Sequence, residues 1–406
     1  MMSYGYDPHL SEGAAKTPLF QTSTFVFKNS KEGRAYFEVA YGLRKKKNSE
    51  DLPLSYARIN NPNAEIAEER LKLWDKAESC ALFQSGMAAI STSILELSKP
   101  GGLILHSSTL YGGTNHFIKD VLPKYNISSM EFDDNDSLDK IISEKKKKFG
   151  DIDVNIVYIE SPANPTNQII DIEKCSELAK KLSTKKNKAL LLIDNTFMGP
   201  IWSKPIDFGA DVVLYSVTKY LGGHSDIVAG AALGKKSVID RIKSSRVFFG
   251  NISSPFTSWL LLRSLETLKI RMEKEAETAL KIAKYLEKHP KIEKVNYLGL
   301  ISKSDKQYKL YKKQYGSGGA MITIYVKGDL DNAYRFLDNL KLIKLAVSLG
   351  GTESLACHPG TMTHVDVNEK TKNRIGITNS LVRLSIGLED SDDLIYDIKN
   401  ALNECK

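Results

Sequence analysis

Five short apolar runs set the limits on what this chain can become: Cys80–Gln84, Leu103–His106, Val154–Ile159, Ala189–Ile193 and Val212–Tyr215. Each is too short for a buried helix. Between them lie longer segments with one polar face: residues 64–78, Ser85 to Leu97, Asp136 to Lys148 and Glu173 to Leu182. Runs that are apolar throughout, rather than at alternate positions, belong to strands covered on both faces, so residues 64–230 predict a mostly parallel sheet between helices. Ligands of such sheets gather at the carboxyl ends of the strands, so the residues just after each run are the ones placed to meet a ligand.

Two of these ends carry a chemical argument by themselves. The fifth run delivers Ser216-Val217-Thr218-Lys219 to the sheet edge. A lysine there is partly desolvated, which disfavours its ammonium and frees the amine to attack an aldehyde. Ser216 and Thr218 add two hydroxyls suited to a phosphate, and a lysine so equipped is what covalent attachment of pyridoxal phosphate requires. The fourth run ends in Asp194. A carboxylate closing a buried strand needs a cationic or hydrogen-bonding partner, and a protonated pyridine nitrogen is one. After the first run, Ser85-Gly86-Met87 opens a helix whose first amides can meet an anion, which makes Gly86 and Met87 candidates for a phosphate cradle.

The string SVTKYLGGHSD around Lys219 resembles the lysine segment of the Cys/Met-metabolism (trans-sulfuration) family of pyridoxal-phosphate enzymes, and similar stretches run from Tyr56 to Asp390, failing only over Tyr41–Leu54. The resemblance implies an aspartate-aminotransferase-like α/β fold and pyridoxal 5'-phosphate as cofactor. It implies further roles, residue by residue. Tyr56 and Arg58, in a Tyr-x-Arg-x-x-Asn-Pro stretch, would bind the cofactor phosphate of a neighbouring subunit, with Tyr56 also at the substrate. Tyr111, in TLYGGT, would stack on the pyridine and assist the leaving group; Asn164, in the turn from Glu160 to Thr166, would bond the ring oxygen. Arg383, with Ser348 and Val347 nearby in sequence motifs of the C-terminal part, would bind the substrate, its guanidinium clamping the amino-acid carboxylate.

Within that family the residues point two ways. Val347 stands where cystathionine-handling members carry a glutamate, and Met362-Thr363-His364 is similar to the lyases, so the expectation is a methionine gamma-lyase-like γ-elimination. Gly113 stands where methionine gamma-lyases carry cysteine, which keeps γ-replacement on an O-acylhomoserine, as in cystathionine gamma-synthase or O-acylhomoserine sulfhydrylase, and cystathionine gamma-lyase as alternatives.

The length of 406 residues calls for more than one unit. Residues 1–60, poor in periodicity, predict an extended arm with no core of its own that lies on a partner subunit; residues 61–257 predict the cofactor-binding domain, and 258–406 a smaller α+β domain. A continuous helix from Trp259 to Leu286 would join the two domains, and strands are expected at Met321–Val326, Leu345–Val347 and Val382–Ile386. A homodimer is the expected catalytic unit, assembled as a homotetramer. The net charge of +8 comes from short lysine runs without interleaved aromatics, and no GxGxxG or GxxxxGK[ST] follows a strand, so neither nucleic acid nor a nucleotide is an expected partner. No apolar run approaches the ~18 residues of a membrane span, and the N-terminus lacks the form of a signal peptide. With Cys80, Cys175, Cys357 and Cys405 widely spaced, the chain reads as a cytoplasmic protein with free thiols and no metal site.

Overall fold

The computed structural model describes residues 2–50, 52–133 and 135–406. Two sheets divide the chain. The first contains β1 (Ser79–Phe83), β2 (Leu103–Ser107), β3 (Ser128–Phe132), β4 (Val154–Glu160), β5 (Leu190–Asp194), β6 (Val212–Ser216) and β7 (Gly230–Gly234), in the order β1-β7-β6-β5-β4-β2-β3. Strands β3, β2, β4, β5 and β6 run parallel, while β7 is antiparallel to both β6 and β1. The sheet is therefore mostly parallel, as expected, with β3 and β7 added to the five anticipated strands.

Burial explains the uninterrupted apolar runs. In β4, Ile156 and Tyr158 pack into one hydrophobic cluster while Val157 and Ile159 pack into another; in β5, Leu192 goes one way and Leu191 and Ile193 the other. Successive side chains point to opposite faces of a strand, and here both faces are covered. Helix Gly86–Leu97 lies on one side and helix Ile172–Leu182 on the other.

The second sheet contains β8 (Ile292–Asn296), β9 (Met321–Val326), β10 (Lys344–Leu345), β11 (Leu355–Cys357) and β12 (Leu381–Ser385), in the order β10-β11-β12-β9-β8. Two expectations need correction. The helix foreseen from Trp259 to Leu286 is two, Pro255–Leu265 and Leu268–Glu287. Thr267 leaves helical geometry at φ −109° and ψ 3°, and Arg271 Nη2 donates to the Ser264 carbonyl at 3.1 Å. The apolar spacing runs on across the break, which is why the pattern hides it. The strand foreseen at Leu345–Val347 ends at Leu345, because the carbonyls of Val347 and Ser348 turn to Arg383 Nη2, each at 3.0 Å.

The N-terminal segment is not extended throughout: α1 (Ser30–Ala40) forms in it, capped by the Asn29 side chain on the Glu32 amide. Thr24 bridges Tyr56, with hydrogen bonds from Phe25 N to Ser55 O and from Ala57 N to Ser23 O, so residues 26–54 form a loop closed at its base. Behind that base, buried Asn61 and Asn63 bind the backbone of Pro18 and Phe20 at 2.8 to 3.0 Å. In the stretch from Tyr41 to Leu54, Arg44 pairs with Glu38 on α1 and with Glu50. Asp51, within this stretch, lies outside the described residues.

Among the described residues no helix is long and apolar enough to cross a membrane, and Cys80, Cys175, Cys357 and Cys405 are buried and form no disulfide.

Candidate active site

The polar residues at the strand ends line one cavity of about 320 Å³, together with Val347, Ser348 and Arg383 from the second sheet's side. Lys219 sits in the turn after β6, its amide bonded to the Ser216 carbonyl at 3.1 Å. Its Nζ donates to Ser348 Oγ at 2.8 Å. Burial first, and then the charge of Arg383, lower its pKa to about 8. A minority of the lysine, roughly a tenth to a fifth, is therefore neutral near physiological pH, far more than for an ordinary lysine, and that is the form that is nucleophilic.

One end of the cavity suits an anion. Ser85 caps helix Gly86–Leu97 by accepting from the Ala88 amide at 3.0 Å, and Gly86 and Met87 open that helix at the cavity wall. A Cβ on Gly86 would lie 2.9 Å from the Ser216 Cβ, so glycine is what lets the helix start meet the end of β6. Thr218 lines the cavity, but its hydroxyl is engaged with Ala229, donating to the carbonyl at 3.1 Å and accepting from the amide at 3.0 Å.

The floor is anionic. Asp194, the last residue of β5, accepts from the Thr196 amide at 2.9 Å and stands in register with Glu160, the last residue of β4. Burial raises both carboxyls, and the charge of Asp194 raises Glu160 further; the opposing influences are hydrogen-bond donors, with no cation among them. Two carboxylates side by side in a buried floor cannot both ionise without a cation. A heteroaromatic ring with a cationic nitrogen at Asp194, a phosphate at the helix start and an aldehyde at Lys219 answers all three features, so the residues present fit pyridoxal 5'-phosphate.

Tyr111 stands at the mouth, partly exposed. Asn164 accepts from Arg383 Nη1 through Oδ1 at 3.0 Å, which leaves its amide NH₂ for a ring oxygen. Arg383, buried on β12, has an Nε donor with no partner among the described residues. Glu160, Thr196, Phe197, Val228 and Thr363 also line the cavity and were not anticipated. Glu160 carried a signal, since it closes an apolar strand as Asp194 does. Thr196 and Phe197, just past the end of β5, and Thr363, in the Met362-Thr363-His364 string, carried one as well; Val228 carried none, being placed by the tertiary fold.

Tyr56 and Arg58 do not reach this cavity within one chain. Arg58 donates to the Val247 carbonyl at 2.8 Å and lines a separate groove of about 920 Å³ between the N-terminal segment and helices Pro62–Asp75 and Lys236–Phe249.

The family described as "Cys/Met metabolism PLP-dependent enzyme" matches residues 2–403. The chain is 38% identical over 394 residues to an L-methionine gamma-lyase of Treponema denticola, covering 97% of this chain and 93% of that protein. It is 39% identical over 350 residues to human cystathionine gamma-lyase, covering 86% and 83%. Among solved structures, cystathionine gamma synthase from Xanthomonas oryzae in complex with cystathionine superposes with a TM-score of 0.86 at 30% identity, covering 99% of this chain and 96% of the other.

Proposed function

The chain belongs to the Cys/Met-metabolism family of pyridoxal-phosphate-dependent enzymes, carbon–sulfur lyases or γ-replacing enzymes of sulfur amino acid metabolism, and from that premise we propose that it is a methionine gamma-lyase, converting methionine and water to 2-oxobutanoate, methanethiol and ammonia. The observation that carries this reading is Val347. It lines the cavity with an apolar side chain, as do Ile90, Val228 and Leu349. A thiomethyl tail suits such a wall; the distal ammonium and carboxylate of cystathionine do not. Relatives named L-methionine gamma-lyase from Treponema denticola and Pseudomonas putida, at 38% and 35% identity, support it.

The work is divided among the residues by their chemistry. Ser216 and the amides at Gly86 and Met87 would hold the cofactor's phosphate, joined by Thr218 if its hydroxyl turns away from the Ala229 carbonyl; Asp194 would hold the ring nitrogen, Asn164 the ring oxygen, and Tyr111 would pack against the ring. When bound, the cofactor supplies an electron sink for a carbanion at the substrate Cα. Arg383 holds the substrate carboxylate through the Nε that has no partner among the described residues, beside Ser348. Lys219, as the free amine, would take the Cα proton, give it up again, and then take a proton from Cβ, which lets the group on Cγ leave. Tyr111 assists that departure from the cavity mouth.

A second reading, γ-replacement or cystathionine cleavage, is favoured by Gly113. A Cβ there would lie 2.7 Å from Tyr111 Cε1 and 3.3 Å from Met87 Sδ, so the cysteine of methionine gamma-lyases could enter only if the ring moved. One preparation assayed with methionine, with cystathionine, and with O-acetylhomoserine plus sulfide separates the readings. Methionine should give the highest kcat/KM; faster replacement by sulfide would overturn the assignment.

Val347→Glu tests the carrying observation. Burying a thiomethyl against valine gains on the order of 1 kcal/mol, whereas a carboxylate would pair with the distal ammonium of cystathionine. The ratio of kcat/KM for cystathionine over methionine should rise roughly tenfold or more. An unmoved ratio would remove Val347 from the tail pocket.

The placement of Arg58 away from Lys219 supports a dimeric catalytic unit, within a tetramer, in which Tyr56 and Arg58 serve the neighbouring subunit's phosphate. Mixed dimers of Arg58→Ala and Lys219→Ala subunits should then recover part of the activity that each lacks alone, because one of the two sites is intact. Verified heterodimers with no activity would mean that each subunit completes its own site.

A further inference from the structure

Glu160 is the one carboxylate in the cavity with no part in the chemistry described above, and its surroundings are unusual. Oε2 accepts from the amide of Tyr111 at 2.7 Å, and Oε1 accepts from the amide of Asn164, also at 2.7 Å. The second bond closes a local turn. The first reaches 49 positions along the chain, to the residue at the cavity mouth. Since Asn164 Oδ1 accepts from Arg383 Nη1, one continuous series of contacts runs from Tyr111 through Glu160 and Asn164 to Arg383. The turn carrying Tyr111 is also pressed from the opposite side: a Cβ on Gly112 would lie 2.5 Å from the Thr363 carbonyl oxygen, so nothing but glycine fits between them.

We propose that Glu160 is a positioning residue, tying the turn that presents Tyr111 to the turn that presents Asn164 and, through the Asn164 side chain, to Arg383 on β12, so that the ring-facing and carboxylate-facing groups are held as one unit. Two amide donors converge on one side chain. A carboxylate accepts through both oxygens, whereas glutamine can satisfy only one donor and sets its own NH₂ against the other. Aspartate, shorter by one methylene, cannot span both. The choice places a second acid beside Asp194, at its register position on the adjacent strand. A residue serving only to brace the turn would have no reason to carry that cost, which a cation at Asp194 offsets. The carboxylate thus serves two ends: its oxygens fix the two turns, and its charge adds to the attraction for a cationic ring.

This inference rests on the family's cofactor chemistry and not on methionine being the substrate. The experiment compares wild type, Glu160→Gln, Glu160→Asp, Tyr111→Phe and the double variant Glu160→Gln/Tyr111→Phe, each as holoenzyme, on whichever sulfur amino acid the wild type processes fastest. Cofactor affinity is read separately, by adding pyridoxal 5'-phosphate back to stripped protein and following visible absorbance and circular dichroism. Glu160→Gln should lower kcat/KM about 30-fold or more through both kcat and KM, and weaken cofactor binding about tenfold with an altered dichroic band. Its cost should shrink to a third or less in the Tyr111→Phe background, because part of it acts through that tyrosine. Glu160→Asp should bind the cofactor nearer to wild type, since it restores the charge, while remaining slow. Equal costs in the two backgrounds, or unchanged dichroism and cofactor affinity in Glu160→Gln, would overturn the proposal. Should Glu160→Gln fail to fold, Glu160→Asp decides: a wild-type kcat there refutes the need for both contacts. A chain that ignores methionine but processes another sulfur amino acid would fail the functional reading and leave this test in force.

Discussion

Replacing Lys219 with alanine is expected to lower turnover by about 10⁴-fold or more and to leave the fold intact. The amine has two tasks, attachment of the cofactor and proton transfer at the substrate, and the proton-transfer part by itself is worth roughly 10² to 10⁴. Little else depends on it structurally: Nζ makes its bond to Ser348 Oγ across the cavity, and the turn is held by backbone contacts, from Lys219 N to Ser216 O at 3.1 Å and from Gly223 N to Lys219 O at 2.7 Å. A readout independent of turnover is available. Borohydride treatment of the wild type should fix the cofactor to the peptide containing Lys219, and the same treatment of Lys219→Ala should fix none. A labelled peptide elsewhere, or a variant that keeps its reducible visible band, would place the attachment on another lysine.

Arg383→Ala should cost about 10³-fold in kcat/KM, most of it in KM. Removing one partner of a desolvated charge pair typically costs 2–5 kcal/mol, and about 4 kcal/mol corresponds to that factor. The alanine variant also strips the carbonyls of Val347 and Ser348 and the Asn164 amide oxygen of their donor. Arg383→Lys distinguishes the contributions, because it keeps a charge and loses the planar fork. It should recover less than a tenth of the lost kcat/KM. Methylamine-type rescue is not expected, whereas guanidinium added to Arg383→Ala should restore some activity if the buried position is open to small cations. KM values unchanged in both variants would show that the substrate carboxylate binds elsewhere.

Much of the first sheet was legible because it obeys a simple rule: strands with both faces covered are apolar throughout, and their last residues face the ligand side. Lys219, Asp194, Asn164 and Tyr111 could be gathered on that argument, and they line one cavity. The antiparallel β7 was not legible, since GAALG has none of the β-branched or aromatic side chains that mark a strand; its end glycines answer to close approaches, a Cβ on Gly230 meeting the Ser85 carbonyl oxygen at 2.1 Å and one on Gly234 the Asp211 carbonyl oxygen at 2.3 Å. The break at Thr267 escaped because hydrophobic spacing records which face is buried and not whether the backbone is continuous. Val228 reaches the cavity through long-range packing alone, which no local pattern encodes. Tyr56 and Arg58 illustrate the opposite limit: the resemblance assigns them to a neighbouring subunit's phosphate, and a single chain shows only that they stand away from its own cavity.

The closed base formed by Thr24 and Tyr56 makes the segment between them an exchangeable cassette. Both of its ends are clasped at one place, and Asn61 and Asn63 anchor the clasp to the body of the protein, so its length can vary without passing any displacement onward. Inserting residues 41–54 into a loop that otherwise spans 26–40 about doubles it, at a closure cost of only about 0.6 kcal/mol. A chain in which this segment is lengthened or shortened is therefore expected to keep Tyr56 and Arg58, at the clasp, where they stand.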